Sequence, residues 1–280
     1  MFFIKKFKRY LSINFITYIL GRFVFFKKFK KSINQKSKTR KFFPEKNDFV
    51  IIENNKNKII NNLNFFGISN QIKLSTKINK YILDNYEQSL FISKKIHGLE
   101  EKKFKGLNKL INSSNKNLPF FDLQNKKFEK LFSRISLSKD LFELAETYLG
   151  KINGIDIRLN YSSVVNLDDN SRENYRQTVK WHYDVHALNF LYAFFYISGS
   201  DEKSGAHQVI KGSHNNKSLL KHMFGSVIQN DSNLRKYYKK KDFFIIKGAK
   251  SRGFLEDTSC FHRALKPILK PRLCLQIRYY

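Results

Sequence analysis

Three side chains able to hold a metal ion, and one cation matched to a carboxylate, stand in the second half of the chain. Trp181-His182-Tyr183-Asp184 supplies a His-x-Asp pair, and Phe261-His262 supplies a second imidazole eighty positions later. Lys270-Pro271-Arg272-Leu273 then places a guanidinium at the start of the last strand-like run. Two imidazoles and one carboxylate on one face of an iron ion leave the opposite face open for substrate and dioxygen. In a strand, positions i and i+2 point to the same side, so His182 and Asp184 can share one ion without bending the backbone. A buried guanidinium needs an anion with a forked acceptor, and a carboxylate fits. These residues make an enzyme the leading reading, ahead of anything the basicity of the chain suggests.

Neighbouring residues are less specific. His186 completes an apparent His-x-x-x-His with His182, but the metalloprotease pattern needs Glu after the first His, and Tyr183 stands there. His186 reads instead as a lip or substrate-contact residue, or as polar surface. Gly205-Ala206-His207 and Gly212-Ser213-His214 bracket a short strand, Gln208-Val209-Ile210, with glycines suited to tight turns. The plain reading of His207 and His214 is as turn residues of an ordinary hairpin. Cys260 lies two positions before His262 and could join it on zinc, although no Cys-x-x-Cys partner lies nearby. Cys274 sits in a strand pattern as a small core residue. Arg278 either acts as Arg272 does or reaches solvent.

The elements that must carry these groups change character along the chain. Asp48–Glu53 reads as an early strand. Residues 76–93 read as a helix, because Ile78, Tyr81, Ile82 and Leu90 recur at helical spacing. Residues 98–125 are polar and define no element. Residues 139–149 form a second helix, capped by Ser138, with Leu141, Leu144, Ala145, Tyr148 and Leu149 on one face and Gly150 as its stop. From 155 the pattern turns to strands. Ile155, Ile157, Leu159 and Tyr161 alternate with polar residues, while 190–198 is continuously apolar and must be covered on both faces. Shorter strands at 242–247 and 253–256 flank Gly248. In the last strand, 272–278, Leu273, Leu275 and Ile277 share one face; Arg272, Cys274, Gln276 and Arg278 share the other. Helices first and strands later, without alternation, predict a mainly β fold, a sandwich or barrel with flanking helices.

The chain has 280 residues, 53 of them Lys or Arg against 23 Asp or Glu, for a formal net charge of +30. Such a field favours anionic partners. The chain is also rich in Lys, Asn, Ile and Phe, residues of A/T-rich codons, so surface lysines do not by themselves require a ligand. Two cysteines make no disulfide framework and point to a reduced, cytoplasmic compartment. Two regions are expected: a basic N-terminal tail, 1–45, and a single domain, 46–280. Residues 1–41 carry 13 basic side chains and no acidic one. Their apolar run, Leu11–Leu20, is broken by polar residues and is too short for a spanning helix. A helix lying on an anionic membrane surface is the first reading. A disordered or domain-packed tail and a spanning or targeting segment are the others.

Taken together, the stretches WHYD at 181–184, SGAHQVIKGSH at 204–214, DTSCFHRA at 257–264 and KPRLCLQIRYY at 270–280 resemble the phytanoyl-CoA dioxygenase family of iron(II)- and 2-oxoglutarate-dependent oxygenases. The resemblance covers about 155–280 well and 48–150 loosely. It implies a double-stranded β-helix, a jelly roll of cupin-like form, with helices on one outer face. It implies His182, Asp184 and His262 as iron(II) ligands and Arg272 as the partner of the distal carboxylate of 2-oxoglutarate. Dioxygen would be the oxidant, succinate and carbon dioxide the co-products, and ascorbate a further accessory. Members of the family often place a hydroxyl two positions after the distal His; this chain has Ala264 there. Tyr192, then Tyr196, are the expected replacements, with a role as plain core aromatics held equally open. Asp184 is retained where halogenating relatives have a small residue, which favours hydroxylation.

The substrate is expected to be a small or lipid-like, anionic molecule, with pocket residues drawn from 98–125, 163–180 and 215–240. Residues 1–41 are expected to touch an anionic membrane peripherally. A non-enzymatic basic jelly roll that attaches to lipid or nucleic acid is the alternative, and a cupin-like protein using manganese or zinc is a third. No aromatic and basic ladder for single-stranded bases is recognisable, so no specific nucleic-acid partner is expected. The oligomeric state is not legible.

Overall fold

A computed structural model describes residues 41–96, 101–114, 117–185, 189–217 and 228–280. Nearly all of the basic tail and His186 therefore lie outside the described residues. In chain order the strands are β1 (Val50–Ile52), β2 (Ile68–Leu74), β3 (Leu90–Lys94), β4 (Glu101–Lys105), β5 (Phe120–Gln124) and β6 (Ile155–Ser162). They continue as β7 (Leu191–Tyr196), β8 (His207–Ile210), β9 (Phe243–Ile246), β10 (Arg252–Glu256), β11 (His262–Ala264) and β12 (Arg272–Tyr279). The helices are α1 (Lys56–Phe66), α2 (Thr76–Asn85), α3 (Leu107–Ile111), α4 (Lys126–Ser136), α5 (Lys139–Leu149), α6 (Asp169–Asn174) and α7 (Asp231–Arg235).

Two antiparallel sheets face each other. The large one runs β1-β2-β10-β7-β12-β6-β5-β3-β4, and the small one runs β11-β8-β9. This is a jelly roll with flanking helices. The period-two pattern of the sequence decides its two faces. Leu273, Leu275 and Ile277 of β12 and Ala193 and Phe195 of β7 point away from the small sheet, into the main core. There they meet Ile59 and Leu63 of α1, Phe128 and Ile135 of α4, and Leu141, Leu144 and Ala145 of α5. The opposite face of the large sheet carries Phe194, Tyr196, Phe254 and Cys274, which pack on Val209 and Ile246 of the small sheet. Cys274 is thus a buried core residue, and β7 is covered on both faces. Arg272, Gln276 and Arg278 share that inner side of β12 with Cys274, because alternate strand residues point the same way.

Several local expectations meet a different outcome. The helix over 76–93 stops at Asn85, and a short 3-10 turn, Tyr86–Gln88, leads into β3. Leu90 matches the helical period, yet β3 pairs on both sides, with β4 and β5, and that pairing outweighs the spacing. Residues 98–125 hold β4, α3 and β5. The second helix spans 139–149 as the sequence predicts, but Ser138 does not cap it through its side chain. Its hydroxyl donates to Asn47 Oδ1 instead, at 2.7 Å. Phe42 already packs on the core, and Glu45 N–H donates to Leu137 O, tying the start of the domain to the α4–α5 junction. Among the described residues no helix is long and apolar enough to cross a membrane.

Candidate metal centre

The centre is built where an extended segment meets β11. His182 N–H donates to His262 O at 3.0 Å, and His262 N–H donates to His182 O at 2.8 Å. This reciprocal bridge is short but keeps the backbone extended at His182. Asp184 N–H donates to Thr258 O at 2.8 Å and extends the contact. Trp181 and Tyr183 point outward and pack with Ile210, Leu234 and Phe261. The Trp181 indole N–H donates to Asp231 at 2.5 Å, and the Arg263 guanidinium lies 4.5 Å over the Trp181 ring. With those odd positions anchored outside, His182 and Asp184 must face inward.

Second partners orient both imidazoles. His182 Nδ1 is 2.9 Å from Lys180 O, and His262 Nδ1 is 3.0 Å from Cys260 O. A carbonyl only accepts, so each Nδ1 carries the proton and each Nε2 presents a lone pair. His182 Nε2 lies 4.0 Å from Asp184 Oδ1, and His262 Nε2 lies 3.9 Å from Asp184 Oδ2. One ligand atom from each of the three residues falls within 4.8 Å of the others. Donors about 2.0–2.2 Å from one ion and sharing one face of it stand about 3 Å apart, so the three atoms need to draw in by roughly 1 Å to hold a divalent transition metal. Burial, with the neighbouring His182 second, pushes His262 down to about 4 and keeps it neutral, the state a metal needs.

Arg272 begins β12 and is 6% exposed. Its Nη1 donates to Gly205 O, and its Nη2 donates to Ser162 Oγ at 3.5 Å. Its Nε is buried with no hydrogen-bond partner among the described residues. Gly205 has φ +81, and a Cβ there would come within 2.8 Å of Pro267 Cγ. Only glycine readily turns the chain here so that this carbonyl meets the guanidinium. Arg272 opens onto the same cavity as His182, Asp184 and His262.

Both tyrosines singled out from the sequence point inward. Tyr196 has its hydroxyl engaged: it donates to Ile246 O and accepts from His207 N–H, both at 2.9 Å. Tyr192 lines the cavity, stacks on Phe194 with centroids 5.4 Å apart, and bonds to Arg278. In register Tyr192 stands opposite Arg278, six residues along β12 from Arg272. At about 3.4 Å per residue that is roughly 20 Å, so the two lie toward opposite ends of the cavity. Arg278 pairs with Asp156 and is not among the residues that line the cavity.

Sequence reasoning passed over several residues of the cavity. His207 is buried in β8 and is no turn residue; its Nε2 lies 2.8 Å from Oε2 of Glu256, which is 0% exposed. Burial pushes Glu256 up and His207 down, so both tend to the neutral form. Nothing local marks this pair, because the partners come from different sheets. Arg158 of β6 and Arg176, after α6, also line the cavity, with Asp122, Asn160 and Gln276. Phe120, Asp122 and residues 176–178 come from the expected pocket stretches; no described residue of 215–240 does. His214 is buried too, its Nδ1 3.4 Å from Cys260 Sγ. Burial pushes the Cys260 thiol up to about 12, and Cys260 is not part of the three-residue cluster.

No protein-family profile matches the chain, and no curated protein matches it. Solved structures do. A non-heme alpha ketoglutarate dependent epimerase from nogalamycin biosynthesis, SnoN, aligns with a TM-score of 0.51 at 11% identity, over 80% of this chain and 82% of its own. EvdO2 from Micromonospora carbonacea var. aurantiaca, solved with 2-oxoglutarate, aligns with a TM-score of 0.50 at 12% identity, over 82% and 92%. EctD from S. alaskensis, in its apoform, aligns with a TM-score of 0.51 at 12% identity, over 86% and 81%. The chain has the jelly-roll fold of iron- and 2-oxoglutarate-dependent enzymes, and it carries a His/Asp/His cluster inside that fold. At this identity the likeness reaches the fold alone.

Proposed function

We propose that this protein is an iron(II)- and 2-oxoglutarate-dependent dioxygenase, of the phytanoyl-CoA dioxygenase type, that hydroxylates a small or lipid-like anionic substrate. The observation that carries the reading is one cavity lined by His182, Asp184, His262 and the buried Arg272. In this reading the three donors hold the ion and leave its other face toward the cavity. Arg272 meets the distal carboxylate of the cosubstrate, with its unpartnered Nε as a further donor. When bound, iron(II) and 2-oxoglutarate supply oxidative attack by dioxygen on a C–H bond, with loss of carbon dioxide and formation of succinate. The chain's own part is to orient the donors, exclude water and place one C–H bond.

An anionic substrate follows from the cavity wall. Arg158 and Arg176 line it with no ion pair among the described residues, and Asp122 is the lining carboxylate outside the metal-binding cluster. Tyr192, at the end away from Arg272, belongs in this reading with the substrate side. SnoN is an epimerase, so one fold hosts more than one outcome at carbon. Asp184 on the ion favours hydroxylation, and residues 1–41 would bring the enzyme to anionic membranes. The test is anaerobic titration of iron(II)-loaded protein with 2-oxoglutarate, followed by oxygen and succinate assay on candidate acids. Saturable binding lost in Arg272→Ala, and product heavier by one oxygen, are expected. Absence of 2-oxoglutarate binding to the loaded protein overturns the reading.

A further inference from the structure

The pairing of β8 with β11 sets His207 directly across from Ala264. Directly opposed residues of an antiparallel pair project to the same face, with Cβ atoms about 5 Å apart. The imidazole of His207 therefore fills the space that a side chain longer than alanine at 264 would enter. Both residues line the cavity, together with Arg272 and the three candidate metal ligands. The His207 ring stacks on His262 with centroids 5.2 Å apart and planes inclined by 16°. On the other side, Gly205, two residues before His207, holds the Arg272 guanidinium through its carbonyl. His207 thus stands between the candidate metal centre and the arginine.

Its partner decides which ring nitrogen faces the cavity. Nε2 lies against the Glu256 carboxyl at 2.8 Å. Glu256 is 0% exposed and sits beside Phe254 and Leu255, where a lone carboxylate is costly. Neither Nε2 nor either Glu256 carboxyl oxygen makes a well-directed hydrogen bond, so the carboxyl fixes the ring by close contact. Nε2 is buried against that carboxyl, which leaves Nδ1 as the ring nitrogen available to a ligand in the cavity. His207 N–H donates to the Tyr196 hydroxyl at 2.9 Å, which fixes the start of β8 and with it the ring position. The result is an imidazole held beside an arginine, in the part of the cavity assigned above to the cosubstrate.

We propose that His207, oriented by Glu256, is the second protein contact to 2-oxoglutarate and replaces the hydroxyl that Ala264 lacks. The inference rests on the function proposed above. It is tested on the full chain loaded with iron(II) without oxygen, and again with zinc, with 2-oxoglutarate as titrant and metal content measured in parallel. His207→Ala is expected to keep its metal and to lose about 10- to 100-fold in 2-oxoglutarate affinity, the scale of one hydrogen bond to a charged group. His207→Gln retains an N–H donor of similar reach and is expected to recover most of the affinity, which also covers the case in which the alanine variant does not fold. Ala264→Ser in the His207→Ala background is expected to recover part of it from across the strand pair. Wild-type affinity in metal-loaded His207→Ala overturns the proposal, as does loss of metal together with affinity. A loss in Tyr192→Phe without one in His207→Ala assigns the contact to Tyr192 and also overturns it. Failure of the wild-type protein to bind 2-oxoglutarate instead overturns the function on which the inference stands.

Discussion

His182 and His262 exchange backbone hydrogen bonds with each other, and their rings lie 4.2 Å apart between centroids. This one bridge joins residues eighty positions apart and aims both Nε2 atoms at Asp184. A vacancy in a three-donor set leaves too few protein bonds to retain the ion. His182→Ala or His262→Ala should weaken iron(II) binding by more than about 100-fold while the circular dichroism spectrum stays unchanged. Metal analysis after gel filtration checks this; full metal occupancy in either variant would remove the ligand assignment.

Arg272 offers a planar fork, and a lysine offers one point charge. Arg272→Lys and Arg272→Ala should therefore both weaken 2-oxoglutarate binding, by about 10-fold or more, with metal content intact. Calorimetric titration measures this. Equal affinity in the lysine variant would mean that charge alone, without the forked geometry, holds the carboxylate.

Glu256 carries a pH signature. Burial, opposed by the nearby His262, raises its acid group to about 8, well above an unfolded carboxyl near 4.5. The folded chain binds the extra proton, so the contribution to stability is complete below about 4.5 and is lost as pH rises through about 8. Metal-free protein should melt at progressively lower temperature from pH 6 to 9. Glu256→Gln, which has no proton to lose, should flatten that slope. An identical slope in the variant would show that another group carries it.

The core beneath the site can be probed from β12. Leu275 is 0% exposed and packs into the main core, whereas Ile268 is 57% exposed. Leu275→Ala should cost about 2–5 kcal/mol of stability, and Ile268→Ala should stay within about 0.5 kcal/mol. Urea unfolding followed by tryptophan fluorescence of Trp181 reports both. Equal costs would contradict the burial of Leu275 in the main core, since Ile268 lies in the exposed loop before β12.

Residues 1–41 carry 13 basic side chains and no acidic one. Their removal should abolish sedimentation with anionic liposomes and leave 2-oxoglutarate binding unaltered, since Arg272 and the three metal-binding candidates all lie in the second half of the chain. Unchanged liposome binding would remove the membrane role.

Much of this protein could be read without coordinates where a local pattern meets a single physical demand. The alternation Leu273, Leu275, Ile277 against Arg272, Cys274, Gln276 fixes the two faces of β12, because strand side chains alternate whatever the topology. The spacing His182-x-Asp184 likewise holds for any extended backbone. Tertiary structure decided the rest. Leu90 fitted a helical period until β3 found partners on both sides. Ser138 looked like a helix cap until its hydroxyl turned to donate to Asn47 and accepted no first-turn N–H. His207 and Glu256 lie 2.8 Å apart in space but 49 positions apart in sequence, on strands of different sheets. No periodicity links such residues. Only the packing of one sheet over the other, which buries both and strips them of water, turns an apparent turn histidine and a strand glutamate into a coupled pair beside the metal-binding cluster.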